Sequence, residues 1–181
     1  MRKEPTLQTD PPVKDFLQRH PCPDKGGDWV WNLGCNPELC SSPKNDRLPY
    51  RLPELLAADP GATVYVGEGE KDTNRLWDEG LVATCNSGGA KKWEAHLTDY
   101  LVGRDVVIPP DNDNDGEAHG QLVARLLQGK ARSVKVLDLP GLGAKGDVSD
   151  WLDQGGTIDK LVRLAGDCEN GSQKTLILCT L

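Results

Sequence analysis

The stretch "VVIPPDNDNDG", residues 106–116, runs from β-branched residues through two prolines into three aspartates spaced two apart and closed by a glycine. Alternating Asp side chains gather hard oxygen ligands, which suits either a calcium loop or a magnesium ion that handles phosphates. The two readings require different neighbours. An EF-hand that placed Asp111, Asp113, Asp115 and Gly116 at loop positions 1, 3, 5 and 6 would need a bidentate Glu at position 12. That position holds Leu122. An EF-hand also needs a preceding helix, whereas "RDVVI" is short and β-branched and reads as a buried strand. What stays open is a carboxylate-bearing loop at a strand end, a calcium turn of another kind, or a solvated turn rich in Asp and Asn.

The pattern around this stretch decides the fold class. From Gly61 onward "TVYVG" reads as a strand, "EKDTNRLWDE" as a helix ended by Gly80, and "LVATC" as a second strand in which Cys85 is a small buried residue. A helix is expected from about residue 93 through Leu97 and Leu101, followed by "RDVVI". Next come a helix over about residues 115–128, with Ala118, Leu122 and Leu126 on one face, and the strand "SVKVLDL". Alternating short apolar strands and helices predict an α/β fold: a Rossmann-like, parallel four-stranded sheet with helices on both faces.

In such sheets ligands bind at the carboxyl ends of the strands, where the strand order reverses. Glu68 follows the first strand, Asp111 and Asp113 follow the third, and Asp147 and Asp150 follow the fourth in "KGDVSDWL". If the first and third strands are neighbours, Glu68 meets the aspartates. Carboxylates so gathered repel unless a cation joins them, and Mg2+ suits a site completed by waters and substrate phosphates. Each residue has a structural reading as well. Glu68 can end a strand or begin a cap, Glu70 and Asp72 can favour a helix N-terminus, and Asp147 and Asp150 can cap the following helix. The loop "NSGGAKKW" after the second strand offers the Gly88 and Gly89 amides and the Lys91 and Lys92 ammonium groups to a phosphate. A glycine turn with solvated lysines is the alternative.

The chain has 181 residues, with 37% hydrophobic and 27% charged residues, and a formal net charge of -7. That length suits one domain with an extension. An acidic surface does not attract a phosphate backbone by itself, so nucleic-acid contact must be local or metal-mediated. The start "MRKEPTLQTDPP" has no apolar run of signal-peptide type, and the apolar tract "LILCTL" is too short to span a bilayer. The expected location is cytoplasmic, with no membrane partner. Residues 1–60 are rich in Pro, Gly, Asn and Asp, and form an irregular N-terminal extension. Within it "DWVWNL" reads as a strand and "LPELLAA" as a short helix with Pro53 near its start. His20, Cys22, Cys35 and Cys40 lack the tight knuckles of a zinc ribbon, and no zinc is expected there.

"EGEKD" after one strand, "PDNDNDG" after another and then "GDVSD" together resemble the TOPRIM domain, in the wording of bacterial, phage and mobile-element DNA primases. The resemblance covers about residues 61–165, which makes residues 1–60 a possible remnant of a primase N-terminal subdomain and residues 167–181 a tail. It implies that Glu68 is the acid/base glutamate, and that Asp111 and Asp113 are D-x-D metal ligands helped by Asp147 and Asp150. Asp115 stands where the family commonly has a small residue. The implied activity is Mg2+-dependent nucleotidyl transfer for RNA primer synthesis in DNA replication, with Mn2+ as an alternative metal. Nucleoside triphosphates and a single-stranded DNA template are the implied substrates, and a helicase or other replication protein the implied partner. A TOPRIM-type nuclease and a non-catalytic nucleic-acid or replisome-binding module are the alternatives.

Overall fold

The computed structural model describes residues 47–166, together with the backbone of three strands outside them: β1 (Arg19–Pro21), β2 (Trp29–Trp31) and a last strand at Ile177–Cys179. The chain divides into two units, Met1–Asp46 and Arg47–Leu181. In the first, β1 and β2 pair antiparallel, with His20 opposite Val30. The side chains of His20, Cys22, Cys35 and Cys40 lie outside the described residues, and so does the zinc question.

The second unit is the α/β fold. Its elements are α1 (Leu52–Ala57), β3 (Val64–Val66), α2 (Glu70–Asp78), β4 (Val82–Thr84), a 3-10 helix (Ala95–Leu101), β5 (Asp105–Ile108), α3 (Asn114–Leu127), β6 (Ser133–Val136), α4 (Val148–Asp153), α5 (Ile158–Gly166) and β7 (Ile177–Cys179). The sheet order is β4-β3-β5-β6-β7. The first four strands are mutually parallel, and β7, in the segment expected to be a tail, adds an antiparallel edge. No helix among the described residues is long and apolar enough to cross a membrane.

Period-two alternation along the strands sends side chains into two separate cores. Val64, Val66, Val106, Ile108, Val134 and Val136 pack with Leu55 of α1, Leu97 and Leu101 of the 3-10 helix, and Val123, Ala124 and Leu127 of α3. Tyr65, Ala83 and Val107 face the other way and meet Leu76 of α2, Trp151 of α4 and Leu161 of α5. Both sheet faces are therefore covered, which is why β3 is apolar at every position. Residues 47–60, placed in the extension by composition, belong to this unit. Tyr50 N–H donates to the Cys85 carbonyl at 2.9 Å, and the Thr84 hydroxyl donates to the Tyr50 carbonyl at 2.8 Å.

Local chemistry fixes the helix ends. Gly80, at φ 85°, stops α2 by letting its own N–H reach the Trp77 carbonyl and the Leu81 N–H reach the Leu76 carbonyl, the paired bonds of a Schellman turn. Two expectations need correction. The segment through Leu97 and Leu101 is a 3-10 helix beginning at Ala95, not an α-helix from residue 93. The inward face of α3 is Gly116, His119, Gly120, Val123, Ala124 and Leu127, whereas Ala118 is exposed and Leu122 and Leu126 only border the core. Gly120 sits where α3 approaches β6 closely: a Cβ there would lie 3.3 Å from Val136, while its neighbour on that face, His119, is fully buried.

Candidate functional site

The chain leaves β3 for β4 on one side and returns as β5 on the other, so the strand order reverses between β3 and β5. A crevice opens at such a point beyond the carboxyl ends of the strands. Glu68, two residues past β3, is half-buried there, and its Oε1 accepts the backbone N–H of Asp111 at 3.3 Å across 43 residues of sequence. The first turn of α3 closes over this contact. A Cβ on Gly116 would fall 2.3 Å from the Asp111 carbonyl oxygen and 2.6 Å from Glu68 Oε1, so only glycine fits.

The electrostatics of the crevice are unbalanced. Burial, followed by the charges of Glu68, Asp72, Asp147 and Asp113, pushes the Asp111 carboxyl up to about 7. Burial also raises Glu68. The Asp111 amide opposes that shift, and the charges of Asp113, Asp72 and Asp115 reinforce it. Among the described residues no cation pairs with Glu68 or Asp111. Asp113, by contrast, has a structural duty. As N-cap of α3 it accepts the N–H groups of Asp115 at 2.9 Å and Gly116 at 2.8 Å. Asp115 is exposed and ion-paired with Lys91.

Asp147 and Asp150 form a capping box on α4. Asp147 Oδ1 accepts the Asp150 N–H at 2.8 Å, and Asp150 Oδ2 accepts the Asp147 N–H at 3.2 Å. Burial works to raise the Asp147 carboxyl, but Lys71 Nζ at 2.7 Å, with the Asp150 amide, outweighs it and holds the group below its ordinary value. Asp72, expected to serve only the N-terminus of α2, is buried and accepts the Ser149 hydroxyl of α4 at 2.5 Å. Burial raises its carboxyl too, with Asp147 adding to the effect.

Three features escaped the sequence reading. Asn112 stitches the loops after β5 and β6 together: its Nδ2 donates to the carbonyls of Leu142 at 2.8 Å and Gly143 at 3.0 Å, and its N–H to that of Gly146 at 2.9 Å. This brings the Asp147 turn beside Asp111. Asp138, after β6, joins Asp111, Asp113, Glu117, Leu139 and Leu142 around a cleft of about 420 Å³. His119 holds the glycine loop: its Nδ1 accepts the Lys91 N–H at 3.0 Å. In that loop Gly88, Gly89 and Lys91 all take left-handed backbone angles, and Lys92 is exposed. Gly88 and Gly89 could not have been larger residues without strain, which is the physical content of the "SGG" signal.

Among the described residues no three His, Cys, Asp or Glu side chains are grouped closely enough, as they stand, to hold a metal ion. The donor chemistry of the crevice nevertheless fits Mg2+. Glu68 and Asp111 are hard oxygen donors in a pocket with excess negative charge, and Mg2+ takes few protein carboxylates and completes its shell with waters and phosphate oxygens. Asp113 and Asp147 would have to share their oxygens between helix capping and the ion. Comparison with protein-family models, with curated proteins and with solved structures finds no match for this chain.

Proposed function

We propose that the crevice performs Mg2+-dependent nucleotidyl transfer of the TOPRIM primase type, with Glu68 and Asp111 holding the ion and Asp113, Asp147 and Asp150 surrounding it. One observation carries this reading. Glu68 and Asp111, 43 residues apart, meet where the sheet order reverses, two half-buried carboxyl groups that no cation among the described residues pairs with.

Bound Mg2+ supplies charge neutralisation and in-line orientation of the reacting phosphate oxygens. Glu68, raised by burial, would be a stronger base toward an attacking hydroxyl than an ordinary carboxylate. Lys91, on its glycine loop and ion-paired with Asp115, would balance phosphate charge. The substrates this implies are nucleoside triphosphates on a single-stranded DNA template, engaged locally because the chain is acidic overall. A helicase or another replication protein is the partner that such a domain serves.

The capping duties of Asp113 and the Lys71 pairing of Asp147 favour one second reading, a binding module that keeps the fold without turnover. The test offers purified protein single-stranded DNA with ribonucleotides and Mg2+, in parallel with labelled DNA and RNA to cut. Short RNA products that vanish in Asp111→Asn support primer synthesis. Cleavage alone would assign the crevice to hydrolysis, and inactivity on every substrate with DNA binding intact would favour the module.

A further inference from the structure

His119 is fully buried on the inward face of α3, and among the described residues it forms no ion pair. Its Nδ1 accepts the Lys91 amide, so the proton of the neutral ring sits on Nε2, which has no hydrogen-bond partner among the described residues. Leaving a buried donor unsatisfied costs about 1–3 kcal/mol. An aliphatic residue of similar size would avoid that cost at an otherwise apolar helix position. The return for the histidine is at Lys91. That residue sits at φ 63°, a left-handed conformation that costs a non-glycine side chain about 1–2 kcal/mol. Its backbone is held there by His119, and its ammonium by Asp115, whose charge in turn reaches Glu68.

We propose that His119 is a positioning residue that fixes the Lys91 backbone so that the Lys91 ammonium can exchange Asp115 for the phosphates of a Mg2+-bound nucleoside triphosphate at the Glu68–Asp111 crevice. The proposal rests on the phosphate-transfer reading above and deepens it by naming what sets the cationic arm. Asp115 then acts as the resting partner of Lys91, which gives the third aspartate of the run a role distinct from Asp111 and Asp113.

The experiment pairs a binding titration with Mg2+–ATP against amide hydrogen exchange at Lys91, in wild type, His119→Leu, His119→Asn and Lys91→Met. Loss of one hydrogen bond should speed Lys91 exchange about tenfold in His119→Leu and weaken Mg2+–ATP about fivefold, matching Lys91→Met. His119→Asn, whose Oδ1 occupies the place of Nδ1, should restore both readouts. If His119→Leu does not fold, His119→Gln carries the test, because its acceptor lies one bond farther out and should weaken binding as the Leu variant would. Faster Lys91 exchange with unchanged Mg2+–ATP affinity makes His119 a core residue only and overturns the assignment. Wild type that binds no Mg2+–ATP, with Lys91 exchange still governed by residue 119, overturns the phosphate-transfer reading and the assignment with it.

Discussion

The unit 47–181 carries two acidic groupings built from the same residue types, and they are resolved in opposite ways. Asp147 and Asp150 are a satisfied pair: each accepts the other's backbone N–H, and Lys71 lies 2.7 Å from one and 4.0 Å from the other. Glu68 and Asp111 are an unsatisfied pair, half-buried, raised by burial and by each other's neighbours, and without a cation among the described residues. Acidic sequence alone does not distinguish the two, because carboxylates serve helix caps as readily as metals. What distinguishes them is whether the fold has already supplied the compensating charge. The grouping that lacks it is the one that gains most from a ligand.

The contrast breaks most severely at Gly116. Gly116→Ala would drive a Cβ into the Asp111 carbonyl and Glu68 Oε1, and the nearest obstacle is backbone, which cannot swing aside. Overpacking of this kind costs about 3 kcal/mol, and the displaced Glu68 should abolish Mg2+-dependent activity. Chemical denaturation checks the first effect. A midpoint within error of wild type would mean that the α3 turn is not seated on the crevice.

Asp111→Asn comes next and sharpens the electrostatic half of the contrast. Asp111 is raised from 3.8 to about 7, so the folded state holds its proton more tightly than the unfolded state does. Its contribution is neutral below about pH 4 and grows destabilising as pH rises toward 7. The penalty is full above pH 7. The Asn variant should therefore match wild type near pH 4 and exceed it at pH 8 by on the order of 2 kcal/mol, after allowance for solvent screening. Added Mg2+ should raise the wild-type melting temperature and raise that of the variant less. Asp113→Asn keeps an N-cap acceptor and should also keep its fold while losing activity. Equal Mg2+ responses in wild type and both variants, with activity retained, would reduce the aspartates to a surface turn.

Much of this contrast was legible in the sequence, and the limits are physical. Strand identity is clear because "VYV" (64–66) and "VVI" (106–108) are apolar at every position, a pattern only strands covered on both faces tolerate. The meeting of Glu68 with Asp111 followed from strand ends and one assumption about neighbours, which the order β4-β3-β5 satisfies. The apolar count on α3 favours Leu122 and Leu126, whereas the buried face is set by close approach of the Asp111 backbone and Glu68 to Gly116 and of Val136 to Gly120. Asp138, Asn112 and His119 act through tertiary contacts that leave no periodic trace. The edge strand Ile177–Cys179 was passed over because three apolar residues near the end of the chain carry too little pattern to read.

The satisfied pair should respond in the opposite sense. Asp147 lies below its ordinary value of 3.8, so its contribution is present above pH 4 and is lost as pH falls through its lower folded value. Asp147→Ala removes an N-cap and should cost about 1 kcal/mol at pH 7, with the difference from wild type shrinking in acid. The Mg2+-induced rise in melting temperature should persist, since Glu68 and Asp111 remain. A variant that loses the Mg2+ response entirely would place Asp147 among the indispensable ligands and erase the distinction between the groupings.

The smallest effect belongs to Lys71, whose side chain is 65% exposed although its ammonium lies 2.7 Å from Asp147. Exposed ion pairs contribute about 0.2–1 kcal/mol, because water screens the attraction and a long side chain must be ordered to make it. Lys71→Met should therefore lower stability by about 0.5 kcal/mol in low salt, and by less near 1 M salt, where the screening length is about 3 Å. The electrostatic consequence is larger than the energetic one. Without Lys71, Asp147 loses the main force holding its pKa down, and its charge acts undiminished on Asp72 and Asp111, which it already raises. The satisfied grouping thereby becomes an unsatisfied one, and Mg2+ should raise the melting temperature of Lys71→Met by more than that of wild type. Melts at low and high salt, with and without Mg2+, decide the matter. A smaller Mg2+ gain in the variant would mean that Lys71 assists the cation site rather than substituting for a cation beside it.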